Sequence, residues 1–298
     1  MTYTSPNRTS LTPASDDPRP VFQAMFDAVR AYLLRDGQSS AARESVATNP
    51  KGEVTRAFDA AAEDIALAIA RERLGSFRVL SEEVGALTVG DSPRWTLVLD
   101  PCDGSNNFKR GIRSVGFALA ALPSDAPLDP DRVEYALCGD IFTGSTYLAA
   151  RGQGATLDGQ SIHCSTVTEL PSAVLGVNLG RARSAERLSP DQESGRPMAE
   201  LVWGLVTRAS TIRRVGATVL DLCYVAQGAY DAYVDLRARL TPENFMAPAL
   251  IIREAGGVFV GARGEPLGTV EFTTPYSVLA AANQRLLDRA LDTLYAAG

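Results

Sequence analysis

Apolar residues recur at helical spacing from Pro20 to Arg35, at Val21, Met25, Val29 and Leu33, and Gly37 follows. This predicts an amphipathic helix with a glycine stop. A second such stretch runs from about Thr55 to Leu74, with Phe58, Ala62, Ile65 and Ile69 on one stripe and Gly75 at its end. Asp59 and Glu63 fall one turn apart, on a face predicted to be separate from that stripe. The runs then shorten. "FRVLSEEVG" reads as a strand emptying into Glu82 and Glu83, Trp95 to Leu99 as a strand ending at Asp100, and Val115 to Leu122 as a third. Val133 to Asp140 and Ser145 to Ala150 read as a hairpin around "IFTGS". Beyond it, strands are predicted near Val174 to Val177, Arg213 to Val215, Ala232 to Val234, Val258 to Val260 and Ser277 to Ala281. Helices are predicted near Pro197 to Ala209, from Ala217 to Ala226, up to Ala255 and from Asn283 to Tyr295. This mixed order points to an α/β (α+β) fold of stacked helix and sheet layers, without the strict alternation of a barrel.

Composition narrows the function classes. At 298 residues and 45% hydrophobic, the chain can build a sizeable core in one large or two medium domains. A net charge of -6, with lysine only at Lys51 and Lys109 and no basic stripe, argues against a nucleic-acid binder. No apolar run is long enough to span a bilayer, so no membrane is implied, and the polar N-terminus reads as a disordered tail and not a secretory signal. Cys102, Cys138, Cys164 and Cys223 form no CxxC pair, which signals neither a zinc site nor a disulfide framework and makes a reducing cytoplasm the expected location. His163 is the single histidine, in a polar stretch that reads as structural, so any chemistry is expected to run on carboxylates. Phosphate-cradling G-x-x-x-x-G-K-[ST], G-x-S-x-G and G-x-G-x-x-G patterns do not occur.

The carboxylates stand where strands end: Glu82 with Glu83, then Asp100, then Asp103 one tight turn later. Acids converging there repel one another unless a cation joins them, and hard oxygen donors select Mg²⁺ or Mn²⁺. Cys102 can offer its carbonyl oxygen, and the free N–H groups of Gly104 and Ser105 at a following helical turn suit an anion. A surface turn is the alternative for "DPCDGS", since Asp, Pro, Gly and Ser are common turn formers.

"LSEEVG", "VLDPCDGSNNFKRG", "RRVGATVLDLCYVAQGAYDAYVD" and "PALIIREAGG", in this order from about Val21 onward, resemble the inositol monophosphatase family of metal-dependent, lithium-sensitive phosphatases. "DAYVDLRARL" resembles the branch acting on both inositol monophosphates and fructose 1,6-bisphosphate. The resemblance implies an αβαβα layered sandwich, a homodimer, two or three Mg²⁺ ions and a small phosphorylated substrate. With the polar tail taken as residues 1–19, the phosphatase unit spans 20–298, with a metal-binding half over roughly 20–170 and an α/β half over 171–298. By the same resemblance the metal ligands are Glu82, Asp100, the Cys102 carbonyl and Asp103. Asp59 with Ser105 orients the attacking water, and Glu82 shares in that chemistry. Asp103, Gly104, Ser105 and Asn106, with Gly216, Ala217 and Asp235, contact the substrate. Arg213, Arg214, Arg237 and Arg239 are candidates to hold a second phosphate.

One position departs from the family. Its last metal ligand is an aspartate, and counting back from "REAGG" this chain has Asn244, whose amide oxygen brings no charge. Asn244 is either a weakened ligand or simply a helix N-cap. Glu243 beside it could substitute only if its side chain pointed the other way. With a helix starting at Asn244, Pro248 would fall where the first intrahelical N–H is needed, which predicts a shifted start or a loosened turn. Two functions therefore stand: a Mg²⁺-dependent phosphomonoesterase, or an impaired or repurposed relative that binds phosphorylated ligands or acts on a different phosphorylated sugar.

Overall fold

A computed structural model describes residues 17–52, 54–178 and 198–295, with side-chain surroundings from 201 in the last segment. The first sixteen residues of the expected tail, and Pro197 at the start of one expected helix, lie outside them. Five layers stack. The first holds α1 (Arg19–Arg35) and α2 (Ala57–Arg73), joined by a small hairpin of β1 (Ser45–Thr48) and β2 (Val54–Arg56). α1 buries Phe22, Met25, Phe26, Val29 and Leu33, a stripe turned slightly from the expected one so that two aromatic rings face inward.

The second layer is an eight-stranded sheet built from β3 (Phe77–Ser81), β4 (Gly85–Val89), β5 (Trp95–Asp103), β6 (Gly116–Pro123), β7 (Tyr135–Asp140), β8 (Thr146–Ala150), β9 (Ala155–Leu157) and β10 (Gln160–Ile162). Its order is β10-β9-β8-β7-β6-β5-β3-β4, antiparallel throughout except where β3 runs parallel to β5. α5 (Thr218–Ala226) and α6 (Pro242–Glu254) form the third layer. The fourth is a sheet of β11 (Val174–Val177), β12 (Thr211–Arg213), β13 (Ala232–Leu240), β14 (Val258–Gly261) and β15 (Tyr276–Ala281), in the order β12-β11-β13-β15-β14. α4 (Met198–Val206) and α7 (Gln284–Tyr295) cover its outer face. Separate apolar cores lie between the first two layers, around the central helices and under the last helices. A helix from Ser105 to Arg110 is α3.

Three differences from the sequence reading position the site. β5 does not stop at Leu99 but runs through Asp103, and its pairing slips between Asp100↔Ala118 and Asp103↔Gly116, three steps on one strand against two on the other. An extra residue in one strand re-aims the side chains beside it. β13 continues to Leu240, with a register break after Asp235 and Ala238 at φ 48°. α6 begins at Pro242, two residues before Asn244, with proline in the first turn, where its missing N–H costs nothing.

Candidate active site

The ends of β3, β5 and β13 and the starts of α2, α3 and α6 surround a cavity of ≈ 690 Å³. Asp59, Glu82, Glu83, Asp100, Cys102, Asp103, Gly104, Ser105, Asn106, Gly216 and Asn244 all line it. Segments as far apart in sequence as those of Asp59 and Asn244 thus meet at one place.

α2 delivers Asp59 at its third position, where the carboxylate accepts the Arg56 N–H at 3.4 Å and the Ser105 hydroxyl at 3.0 Å. The Ser105 Oγ also lies 3.1 Å from the Cys102 carbonyl oxygen. Asp59 and Glu63 do not sit on a face of their own: both are buried beside Phe58 and Ala62. Buried carboxylates need donors, and Glu63 takes the Ser81 hydroxyl and the backbone N–H groups of Glu83 (3.1 Å) and Val84 (2.7 Å). Glu63 therefore pins the turn that carries Glu82 and Glu83, and Thr55 donates to Glu83.

Asp100 is buried in β5 and accepts the Cys102 N–H at 3.0 Å. Asp103 accepts the Val219 N–H at 2.8 Å, which ties β5 to the first turn of α5. Gly104 joins β5 to α3 at φ 95°, and a Cβ there would stand 3.1 Å from the Ser114 carbonyl and 3.3 Å from Ala217. Only glycine takes that turn without strain. Asn107 completes the junction, its amide donating to the Ser114 (2.9 Å) and Val215 (2.7 Å) carbonyls.

Ala217 is fully buried and packs toward Gly104 instead of facing the cavity. Asp235 is fully buried too, its oxygens held by the Arg237 Nε at 2.9 Å, Nη2 at 2.6 Å and N–H at 3.0 Å. Arg237, with Arg239, lines the cavity in its place. Neither Arg213 nor Arg214 does.

Asn244 is not the N-cap of α6. Thr241 is, and Asn244 closes the capping box from the third position, its Oδ1 accepting the Thr241 N–H at 3.1 Å while Nδ2 donates to Asp100 Oδ2 at 3.1 Å. Pro248 stays inside the helix and has no N–H to offer the Asn244 carbonyl one turn back.

Burial, reinforced by the charge of Glu83, pushes Asp59 up to about 7. Burial raises Glu82 well above the usual carboxylate range, with Glu243 adding to the effect and Lys51 opposing it. Asp100 rises in the same way, through burial and the charges of Glu82, Asp103 and Glu243. Asp103 is pushed to about 7 by burial, against the Val219 N–H, with Glu243 adding. Burial likewise raises the Cys102 thiol, so its carbonyl is its useful oxygen.

No three His, Cys, Asp or Glu side chains among the described residues form a ligand group by themselves. The fit to a hard divalent cation rests on other features. The acids lining the cavity offer oxygens, burial and their mutual charge raise them, and one buried carboxylate oxygen, Glu243 Oε2, has no hydrogen-bond partner. Sequence reasoning assigned no part to Lys51, Thr241 or Glu63. For Lys51 the available signal was a rare lysine in the "NPKG" turn, just before the Asp59 helix.

A profile of the inositol monophosphatase family matches residues 17–297. The fructose-1,6-bisphosphatase/inositol-1-monophosphatase of Thermococcus kodakarensis is 32% identical over 256 residues, which cover 85% of this chain and 88% of that protein. Inositol monophosphatase 2 of Mus musculus is 29% identical over 279 residues, 90% of this chain and 88% of its own. A crystal structure of an inositol monophosphatase-fructose 1,6-bisphosphatase superposes with a TM-score of 0.76 at 26% identity, covering 93% of this chain and all of that one.

Proposed function

Because the chain belongs to the inositol monophosphatase family, we propose that it is a Mg²⁺-dependent phosphomonoesterase acting on a small phosphorylated sugar or polyol, of the fructose 1,6-bisphosphate or inositol monophosphate class. The observation that carries this reading is the Ser105 hydroxyl set between Asp59 Oδ1 and the Cys102 carbonyl, at the wall of an acid-lined cavity. Glu82, Asp100, Asp103 and the Cys102 carbonyl are the residues that would hold the cation. Bound there, Mg²⁺ would neutralise phosphate oxygens and make a water more acidic. Ser105 Oγ, held by Asp59 Oδ1, would orient the attacking water, and the Asp59 carboxylate would take its proton as the water oxygen bonds to phosphorus and the alcohol leaves. Gly104, Ser105 and Asn106 line the wall where the phosphate would rest. Lys109, Arg237 and Arg239 give the same cavity a cationic side, which supports a substrate with a second anionic group. Asp235 acts here by orienting Arg237.

The Asn244 amide donating to Asp100 favours a second reading, in which the chain binds phosphorylated ligands without hydrolysing them. Phosphate release distinguishes the two. Sugar, inositol and nucleotide monophosphates and fructose 1,6-bisphosphate are assayed from micromolar to tens of millimolar Mg²⁺, with Asp100→Asn as the blank. Release that needs Mg²⁺ and disappears in the blank supports the phosphatase. A folded protein that binds these ligands and releases nothing refutes it.

A further inference from the structure

The first turn of α6 carries two residues into the cavity, and their chemistry is reversed from what the family pattern leads one to expect. Asn244 stands where the pattern has an aspartate. Both ends of its amide are engaged, Oδ1 by the Thr241 N–H and Nδ2 by Asp100, so it turns a donor, not an oxygen, toward the acids. Glu243, one residue earlier, does bring a charge. It is 2% exposed and lines the same cavity as Glu82, Asp100 and Asp103, so it shares their site.

The early start of α6 is what allows this. With Thr241 as N-cap, Glu243 and Asn244 are the second and third residues of an unfinished turn, where successive side chains fan out around the helix end. Lys51, from the turn between β1 and β2, then fixes the carboxylate. Its ammonium donates to Glu243 Oε1 and, at 2.9 Å, to the Thr241 hydroxyl, and it lies 4.6 Å from the centre of the Phe272 ring. The Thr241 hydroxyl donates to the same Oε1. The other oxygen, Oε2, is buried with no hydrogen-bond partner. A carboxylate held firmly by one oxygen, with the second desolvated and unmatched, is arranged for a partner that accepts lone pairs.

We propose that Glu243, and not Asn244, supplies the α6 carboxylate to the divalent cation through Oε2, with Lys51 and Thr241 as the residues that position it. The proposal rests on the metal-dependent reading above. It places the missing negative charge one residue upstream and assigns the amide of Asn244 to holding Asp100.

Metal binding tests it without reference to turnover. The full chain is stripped with EDTA and titrated with Mn²⁺, the free ion being followed by its electron paramagnetic resonance signal. Eu³⁺ luminescence lifetimes in H₂O and D₂O count the waters on the bound ion. Glu243→Gln is expected to weaken one class of Mn²⁺ site by at least the roughly 10–100-fold that loss of a partner orienting a ligand costs, and to add water to bound Eu³⁺, because solvent fills the position of a lost ligand. A residue acting only through distant charge leaves the water count unchanged. Glu243→Asp keeps the charge and the partner for Lys51, and serves if Glu243→Gln fails to fold; its shorter reach is also expected to raise the water count. Unchanged affinity and hydration in folded Glu243 variants, with binding lost in Asp100→Asn, would overturn the proposal and leave the phosphatase reading standing. No Mn²⁺ binding by the unaltered chain overturns both.

Discussion

Asp59→Asn is expected to stabilise the EDTA-treated protein at neutral pH while abolishing its phosphatase activity. The Asp59 carboxyl is raised from an ordinary 3.8 to about 7, first by burial and then by the charge of Glu83. Between these values the folded protein keeps a proton that the unfolded chain has released. Stability contributed by this group is therefore full below about pH 4, falls as pH rises, and is gone above about 7. A displacement of that size corresponds to roughly 4 kcal/mol. This is an upper figure, since Glu83 and the other acids titrate together with Asp59. Asparagine cannot ionise and avoids the loss. The unaltered protein should thus lose about 2–4 kcal/mol relative to Asp59→Asn between pH 4.5 and 7.5, a relative fall in Tm of roughly 3–6 °C for a chain of this length. Scanning calorimetry of both proteins in EDTA across that range measures the difference, in which the carboxylates not coupled to Asp59 cancel. Saturating Mg²⁺ should narrow the gap at pH 7.5, because a cation bound only to the folded state offsets the crowded charge. A Tm difference that stays constant with pH, or that moves in favour of the unaltered protein as pH rises, would refute the reasoning about Asp59.

Three further outcomes follow from the same geometry. Gly104→Ala must place a side chain at φ 95° and 3.1 Å from the Ser114 carbonyl; it should cost about 1–3 kcal/mol. Gly111→Ala, at φ 73° with open space around it, should cost less, and urea midpoints compare the two. Ser105→Ala removes the hydroxyl between Asp59 and Cys102 and should lower kcat on the order of 10²-fold, with the folded far-ultraviolet spectrum retained and activity largely kept in Ser105→Thr. Asp235→Asn leaves Arg237 with a neutral partner and should raise KM for a bisphosphate roughly tenfold, equivalent to about 1.4 kcal/mol, with less effect on kcat and on a monophosphate.

What the sequence made legible, and what it did not, follows the range of the forces involved. Local spacing located the helices and most strands, because burial of a stripe or an alternating face is written into neighbouring residues. The strand carrying Asp100 was found for that reason, and the meeting of Asp59 with Ser105 was expected from a resemblance that the geometry now accompanies with a 3.0 Å hydrogen bond. The continuation of β5 to Asp103 was hidden, since a proline and a glycine read locally as a turn while pairing with β6 carries the strand on. The resemblance alone set Asp235 against the substrate, and nothing in its sequence neighbourhood shows that the side chain is buried. The guanidinium that encloses it comes from only two residues away, on the same face of the strand, but spacing does not say that this arginine turns back onto the acid rather than out to solvent. The α6 start was the hardest part. Counting back from "REAGG" fixes Asn244 in the motif but says nothing about which way its amide turns or where the helix begins. Those are decided by Thr241 capping the helix and by Lys51, 192 residues away from Glu243 in the chain. A substitution that looks like the loss of a charge is therefore incomplete as a local statement. The same turn buries a carboxylate beside it, and a distant lysine holds that carboxylate by one oxygen only. Whether the acid at 243 takes over from the amide at 244 depends on long-range packing that no motif records.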